Sequence, residues 1–135
     1  MKIVIVGLGV IGGSFALALK QAGYDDVYGV DTNAETLEKA EKMGIIRKGC
    51  KEGKAFFPEA DLIILAIYPK LIRAFVEQNQ ALFKKGCIVT DTTGIKRPFI
   101  REITEALPEG VTPEQRLGQL AAADGVESGF YTADS

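Results

Sequence analysis

The stretch that decides the fold is IVIVGLGVIGG at residues 3–13. Its first four residues are apolar and β-branched, which is typical of a strand covered on both faces. Glycines follow at positions 7, 9 and 12, in the spacing G-x-G-x-x-G. In a strand–turn–helix unit, Gly7 permits the tight turn, Gly9 lets the backbone approach a pyrophosphate, and Gly12 lets the helix pack closely on the strand. The free N–H groups that open such a helix face the phosphates of a dinucleotide.

An acidic residue completes this pattern at the end of the second predicted strand. Asp31 follows the run VYGV and lies nineteen residues after Gly12, about where a carboxylate reaches the adenine ribose hydroxyls. NADP would need a cation near this point, yet no Lys or Arg occurs between Asp31 and Lys39. The sequence therefore predicts NAD as the cofactor and NADP as the less favoured one. Simpler interpretations are a loop acid at Asp31 and an unoccupied unit, although the latter does not explain glycine at all three positions.

Beyond this unit, strand-like apolar runs alternate with helical patterns. The predicted strands lie at residues 2–6, 27–30, 45–47, 62–67 and 87–91. The predicted helices lie at residues 14–22, 33–43, 69–83 and 98–107. A capping box opens the second helix, with Thr32 as the N-cap and Glu35 three residues on. Residues 48–60 are predicted to form a loop, with a turn of helix as an alternative for part of it. The alternation predicts an α/β fold, a doubly wound parallel sheet of the Rossmann type with strand order 3-2-1-4-5 and a ligand beyond strands 1 and 4.

Length, charge and composition restrict the function further. At 135 residues the chain is expected to form a dinucleotide-binding domain at 1–111, followed by an atypical tail at 112–135. The net charge of −2 and the lack of a basic stripe argue against a nucleic-acid partner. No apolar run is long enough to cross a membrane, and the N-terminus runs directly into a strand, which is not the pattern of a signal peptide. Cys50 and Cys87 lack the spacing of a metal site. We therefore expect a cytoplasmic protein with inert thiols, no metal and no membrane partner.

Several motifs resemble those of one enzyme family. They are VGLGVIGGS at 6–14, AIYP at 66–69, TDTTGIK at 90–96 and LPEGV at 107–111. With them, residues 1–111 resemble the N-terminal domain of prephenate dehydrogenase and its arogenate-using relatives. The first motif is shared by many dehydrogenases, whereas the third is more specific because the family carries a D-x-x-S-x-K loop there. The resemblance implies an oxidative decarboxylation in tyrosine biosynthesis. Hydride passes from prephenate or arogenate to a nicotinamide while carbon dioxide leaves. With prephenate, the product is 4-hydroxyphenylpyruvate.

The resemblance also implies which residues bind the cofactor. Val10 and Ile11 would offer backbone N–H groups to the pyrophosphate, and residues 67–69 would line the ribose on the nicotinamide side. The implied cofactor-binding residues are Gly7, Gly9, Val10, Ile11, Gly12, Asp31, Thr32, Ile67, Tyr68, Pro69, Asp91 and Thr92.

The loop after the fifth predicted strand would provide the catalytic contacts. Thr93 and Lys96 would face the nicotinamide and the substrate. The family serine that helps bind the substrate hydroxyl and the catalytic histidine is replaced by Gly94, so Thr93 is the nearest substitute. Tyr68 can instead be a packed aromatic, Lys96 a solvated cation, and Thr92 and Thr93 ordinary turn hydroxyls.

The chain contains no histidine. After LPEGV the family continues into G-x-H-P-M-A-G-x-E, whose histidine accepts the proton of the substrate hydroxyl. Residues 112–124 here read TPEQRLGQLAAAD, and neutral Gln119 cannot accept a proton as imidazole can. The tail is therefore interpreted as a truncated, substituted or frame-shifted link to a helical second domain that is absent from these residues. We expect the chain to bind NAD but to be inactive alone, and the full-length protein to be a homodimer.

Two other functions remain open. A hydroxyacid or imine dehydrogenase of similar architecture explains the glycine motif equally well, but it does not explain the segment at 90–96. A nucleotide-sensing module, like the regulatory domains of potassium channels and transporters, also begins with a strand and G-x-G-x-x-G and lacks catalytic residues. The missing histidine favours the sensor, whereas the Tyr68-Pro69 pair and Lys96 count against it.

Overall fold

A computed structural model of the chain describes residues 1–91, 109–110 and 130–132. Within them the strands are β1 (Ile3–Val6), β2 (Val27–Val30), β3 (Lys48–Cys50), β4 (Leu62–Leu65), β5 (Ile88–Asp91) and β6 (Phe130–Thr132). The α-helices are α1 (Val10–Gln21), α2 (Ala34–Lys42) and α3 (Pro69–Asn79). Short 3₁₀ helices lie at Gly53–Ala55, Phe57–Glu59 and Gln80–Leu82. The predicted helix at 98–107 and most of the tail lie outside the described residues.

The described strands form one sheet in the order β3-β2-β1-β4-β5-β6. Strands β1 to β5 are parallel, which confirms the predicted order 3-2-1-4-5 and the Rossmann-type α/β fold. Ile3 of the central strand pairs with Val27 on one side and with Leu62 on the other. β6 adds an antiparallel edge strand to β5, which the sequence analysis did not predict. Ligands of such sheets bind beyond the carboxyl ends of β1 and β4, where the strand order reverses.

The two faces of β1 belong to two separate hydrophobic cores. Ile3 and Ile5 pack in a core that includes residues of α1 and α2. Val4 and Val6 face the opposite core, with the 3₁₀ segment around Phe57 and with α3. Side chains alternate between the faces of a strand, so a strand covered on both sides needs apolar residues throughout. This requirement is why the run IVIV marks the central strand.

The third strand lies at Lys48–Cys50, so the prediction of residues 45–47 was wrong. Ile45 and Ile46 belong to the preceding turn and bury their side chains in the core beneath α2. The strand itself carries Gly49, where a Cβ would lie 2.7 Å from Leu37 Cδ2 of α2. Close packing of α2 therefore favours glycine, and no apolar run marks this edge strand. The predicted loop at 48–60 accordingly contains β3 and two 3₁₀ turns.

The N-cap of α2 is Asn33 and not Thr32, so the predicted capping box was wrong. Asn33 Oδ1 accepts hydrogen bonds from the N–H groups of Glu35 at 2.9 Å and Thr36 at 3.2 Å. The N–H of Asn33 in turn donates to Asp31 Oδ1 at 2.9 Å. The Asp31 carboxylate therefore holds Asn33 where its side chain can cap the helix.

The other boundaries differ from the predictions by small amounts. Helix α1 begins at Val10 and not at residue 14, β4 ends at Leu65, and α3 passes into the 3₁₀ turn Gln80–Leu82. None of the described helices has the length and apolarity needed to cross a bilayer. The described residues also contain no group of three His, Cys, Asp or Glu side chains that could hold a metal ion.

Candidate functional site

The turn between β1 and α1 has a local reason for each glycine of the motif. Gly7 has a φ of +91°, and a Cβ there would lie 2.5 Å from the carbonyl oxygen of Ala66. A Cβ on Gly12 would overlap the carbonyl oxygen of Gly7. At Gly9, by contrast, no described atom beyond the chain neighbours lies within 4 Å of the Cβ position. Gly7 and Gly12 thus satisfy the turn and its packing, whereas Gly9 leaves an open side that a ligand can approach.

Helix α1 presents its amino end to this open side. Its N-cap is Gly9, which has no side chain to cap the helix, and the first turn contains no acidic residue. The first helical hydrogen bond runs from Gly13 N to Gly9 O at 2.8 Å. Because helical bonds run back four residues, the N–H groups of Val10 and Ile11 have no acceptor within the helix. The positive end of the helix dipole at Gly9 is therefore suited to an anion such as a phosphate.

Asp31 ties the glycine turn to the end of β2. Its Oδ2 accepts a hydrogen bond from Leu8 N–H at 2.8 Å, and its Oδ1 accepts the bond from Asn33. The N–H of Gly7 donates to Val30 O at 2.7 Å, so a second bond holds the turn against β2. A carboxylate has about four acceptor positions, which leaves Asp31 able to accept further bonds from ribose hydroxyls. Asp31 therefore has a structural role in addition to the predicted ligand contact.

These features meet at a cavity of about 920 Å³ at the carboxyl ends of the central strands. Its volume lies within the usual range of ligand sites. The predicted cofactor residues that line it are Gly7, Gly9, Ile11, Asp31, Thr32, Ile67, Tyr68, Pro69 and Asp91. Val10 and Gly12 belong to the same turn but are not part of the cavity wall. Thr92, Thr93 and Lys96 lie outside the described residues.

One wall of the cavity is formed by α3, of which the sequence analysis identified only the first residue, Pro69. The residues that contribute are Leu71, Ile72, Ala74, Phe75 and Gln78. Helical spacing alone does not separate the side chains that face a cavity from those that face a core, and here Ile72 is buried while Leu71 is 48% exposed. Tyr68, at the N-cap of α3, is 73% exposed, so the interpretation of it as a packed aromatic was wrong.

Lys51 is a second part of the site that the sequence analysis missed. β3 pairs with β2 so that Cys50 lies beside Val30, and the N–H of Asp31 donates to the Cys50 carbonyl at 3.2 Å. The next residue, Lys51, lines the cavity together with Asp31. A third strand at residues 45–47 would not end beside Asp31. Lys51 is recognised as a neighbour of Asp31 only in the observed register, which pairs Val30 with Cys50.

The described wall is suited to holding a ligand. Its ionisable side chains are Asp31, Lys51, Tyr68 and Asp91, and the remaining wall is mainly apolar. Cys87 immediately precedes β5, is not part of this wall and is completely buried. Burial raises the pKa of its thiol to about 12, which makes it a poor nucleophile, in line with the expectation of an inert thiol.

The nucleotide-binding domain model of the prephenate dehydrogenase family matches residues 15–114 of the chain. The chain belongs to this family. Prephenate dehydrogenase of Lactococcus lactis subsp. cremoris is 33% identical over 135 residues, which cover 98% of this chain and 37% of that enzyme. The chain therefore spans little more than a third of the length of this relative. The matched range begins at residue 15, after the glycine turn. The turn therefore indicates a nucleotide-binding fold independently of the family model.

Two solved structures of prephenate and arogenate dehydrogenases are similar to the chain. The complex of the Aquifex aeolicus prephenate dehydrogenase with hydroxyphenyl propionate and NAD+ has 32% identity and a TM-score of 0.61, and the match covers 67% of this chain and 33% of that one. The Synechocystis arogenate dehydrogenase has 27% identity and a TM-score of 0.64, over 87% of this chain and 37% of that one. Both relatives are oxidoreductases, and each is matched over about a third of its length.

Proposed function

We propose that the chain is the NAD-binding part of a prephenate dehydrogenase and that it binds NAD without turning over prephenate by itself. The observation that carries this proposal is the cavity in which the open glycine turn, the amino end of α1 and Asp31 meet. Membership of the family supports the substrate class, prephenate or arogenate, and the Aquifex relative in complex with NAD+ supports the cofactor. In the cell we propose a cytoplasmic enzyme that acts as a homodimer in its full-length form.

In this proposal different residues of the cavity wall bind different parts of the cofactor. The pyrophosphate lies at Gly9 and the N–H groups of Val10 and Ile11, because a helix amino end favours an anion. Asp31 accepts hydrogen bonds from the adenine ribose. The nicotinamide end lies toward residues 67–69 and Asp91, at the side of the cavity formed by β4 and β5. When bound, NAD provides the hydride acceptor for the oxidation.

The proposed lack of turnover follows from the missing base. Oxidation of the substrate hydroxyl releases a proton, and a positioned base commonly accelerates such a transfer by about 10²-fold to 10⁴-fold. The chain contains no histidine. Thr93 and Lys96 are retained as proposed contacts to nicotinamide and substrate, but a hydroxyl and an ammonium are poor proton acceptors near neutral pH. Loss of the base is also what a nucleotide sensor would exhibit, although a sensor does not explain the family membership.

Calorimetric titration with NAD+ and NADP+ tests the proposal. We expect NAD+ to bind more tightly, and Asp31→Ala to weaken NAD+ by about tenfold or more while reducing its advantage over NADP+, because charge-assisted hydrogen bonds are lost. Asp31→Asn removes the charge and keeps one oxygen that can accept the bond from Leu8, but its amide nitrogen replaces the acceptor of the Asn33 N–H. Asp25→Asn is the control, because the Asp25 carboxylate is exposed and lies outside the cavity.

A steady-state assay with prephenate and NAD+ tests the second half of the proposal. We expect the 135-residue chain to form no NADH above background at concentrations that saturate the titration. Turnover typical of a dehydrogenase would show that the chain has a base other than histidine. Failure of NAD+ to bind would overturn the proposal as a whole.

A further inference from the structure

The ends of β2 and β3 place a cation beside the acid of the cofactor site. The register pairs Val30 with Cys50, and parallel neighbours lie about 4.8 Å apart, so the residues that follow these strands are adjacent. Those residues are Asp31 and Lys51, and both line the cavity. In the sequence they are twenty positions apart, so the residues directly after Asp31 do not indicate this cation.

The two charges do not neutralise each other in a direct pair. Both oxygens of Asp31 are engaged by the N–H groups of Leu8 and Asn33. Lys51 is exposed, and none of the described residues forms an ion pair or a hydrogen bond with its ammonium. Within the same part of the chain, three other lysines do form ion pairs: Lys2 with Glu59, Lys42 with Glu38 and Lys84 with Asp61. Lys51 is the basic residue among the described members of the cavity wall, so its charge is available to a ligand.

We propose that Lys51 is a specificity-determining residue of the cofactor site, where its ammonium binds the 2′-phosphate of NADP. This inference rests on the proposed function, because it assumes that the adenine ribose lies at Asp31. A carboxylate alone repels a 2′-phosphate, and a cation at the end of the neighbouring strand offsets that repulsion. Asp31 keeps NAD the preferred cofactor, and Lys51 narrows the preference so that NADP also binds.

The test compares two lysines that differ in position but not in charge. Lys51→Gln removes the cation from the cavity, whereas Lys54→Gln removes an exposed cation three residues on that does not line it. Dissociation constants for NAD+ and NADP+ are measured by calorimetry at two salt concentrations. We expect Lys51→Gln to weaken NADP+ by about fivefold to tenfold and NAD+ by less than about twofold. Lys54→Gln changes neither, and Lys51→Arg retains NADP+ binding.

Salt provides a second readout. NADP+ affinity should fall more steeply with salt than NAD+ affinity in the wild type, and this difference should disappear in Lys51→Gln, because the additional contact is ionic. Thermal unfolding of both glutamine variants checks that each is folded, which is expected since both lysines are exposed.

Three results would overturn the inference. The first is an equal loss of affinity for both dinucleotides in Lys51→Gln, which would assign Lys51 to the pyrophosphate. The second is NAD+ binding in the wild type with no change of NADP+ affinity in Lys51→Gln; this would leave the proposed function intact. The third is a wild type that binds neither dinucleotide, which would overturn the proposed function together with the inference.

Discussion

At the scale of single residues, Gly12 is where α1 comes closest to the glycine turn. A Cβ there would overlap the carbonyl oxygen of Gly7, which is backbone and cannot rotate away. Gly13, one position on, has Leu8 O at 3.8 Å from the Cβ position, an ordinary contact distance. Glycine is therefore required at position 12 but replaceable at position 13 of the same helix.

Gly12→Ala should destabilise the fold and weaken the binding of NAD+. We expect the free energy of unfolding to fall by about 3 kcal/mol, because relief of the overlap must move backbone. NAD+ affinity should fall by about tenfold or more, since the displaced turn carries the proposed phosphate site. Urea unfolding and calorimetry measure the two effects.

Gly13→Ala is the control for this substitution. It should leave NAD+ affinity unchanged and raise the free energy of unfolding by up to about 1 kcal/mol, because alanine is the better helix former. Equal effects of the two substitutions would contradict the assignment of Gly12 to close packing.

Residue-level prediction was successful where the signal is local in sequence. The glycine turn was predicted from the spacing of its three glycines, because it is a short continuous segment, and the contacts of these glycines and Asp31 with a nucleotide stay a prediction. Lys51 was not found, since its position beside Asp31 depends on the register between β2 and β3. The exposure of Tyr68 was likewise hidden, because it depends on how far α3 stands from the neighbouring elements.

At the scale of elements, the start of α2 shows how one hydrogen bond selects a cap. Both Thr32 and Asn33 are residue types that cap helices, and the pattern of Thr32 with Glu35 favours the former. The structure uses Asn33, because Asp31 Oδ1 holds the Asn33 N–H and its side chain then reaches Glu35 and Thr36. Sequence patterns give the residue types that can cap, and the preceding contact decides between them.

Asn33→Ala should lower the free energy of unfolding by about 1 kcal/mol, because two N–H groups at the start of α2 lose their acceptor. Asn33→Ser should retain most of the stability, since a serine oxygen can replace the acceptor. Thr32→Ala should change stability by less than about 0.5 kcal/mol. Thermal unfolding of the three variants measures these differences in stability. A larger loss in Thr32→Ala than in Asn33→Ala would show that Thr32 is the N-cap, as the capping box predicts.

Whether a strand could be predicted also depended on the contacts that it makes. β1, β2, β4 and β5 were found because burial on both faces imposes apolar runs. β3 was misplaced because it lies at the edge and packs Gly49 against Leu37. An edge strand defined by close approach has no apolar signal for periodicity to detect.

At the scale of the whole molecule, the order of the parallel strands could be predicted because alternating strands and helices allow few topologies. The antiparallel pairing of β6 with β5 could not, since it joins segments about forty residues apart in the sequence and no local pattern marks it. Cys87, the residue before β5, is buried in the second core.

The buried thiol of Cys87 should make stability depend on pH in the alkaline range. Its native pKa is raised to about 12 from a reference of 9.0, first by burial and then by the charge of Asp61. The stabilisation is thus complete below the unfolded pKa and is lost as pH rises toward 12. Between these values the free energy of unfolding should fall by about 1.4 kcal/mol per pH unit, because the unfolded chain releases the proton first.

Urea unfolding at about pH 8 and about pH 10 measures this slope. Cys87→Ala is the control, because it retains every other alkaline group and removes only the thiol. The wild type should lose more stability than the variant over this interval. Identical slopes would indicate that the thiol ionises equally in both states.

The hydrogen bonds from Leu8 to Asp31 and from Gly7 to Val30 fix the glycine turn before any nucleotide arrives. Little conformational entropy is then lost from the turn on binding, so more of the contact energy remains as affinity. Association through such a prepared turn needs no slow refolding step, and its rate is set by encounter and orientation. A substitution in β2 that loosened these bonds would therefore weaken binding through entropy, even if it touched no atom of the ligand.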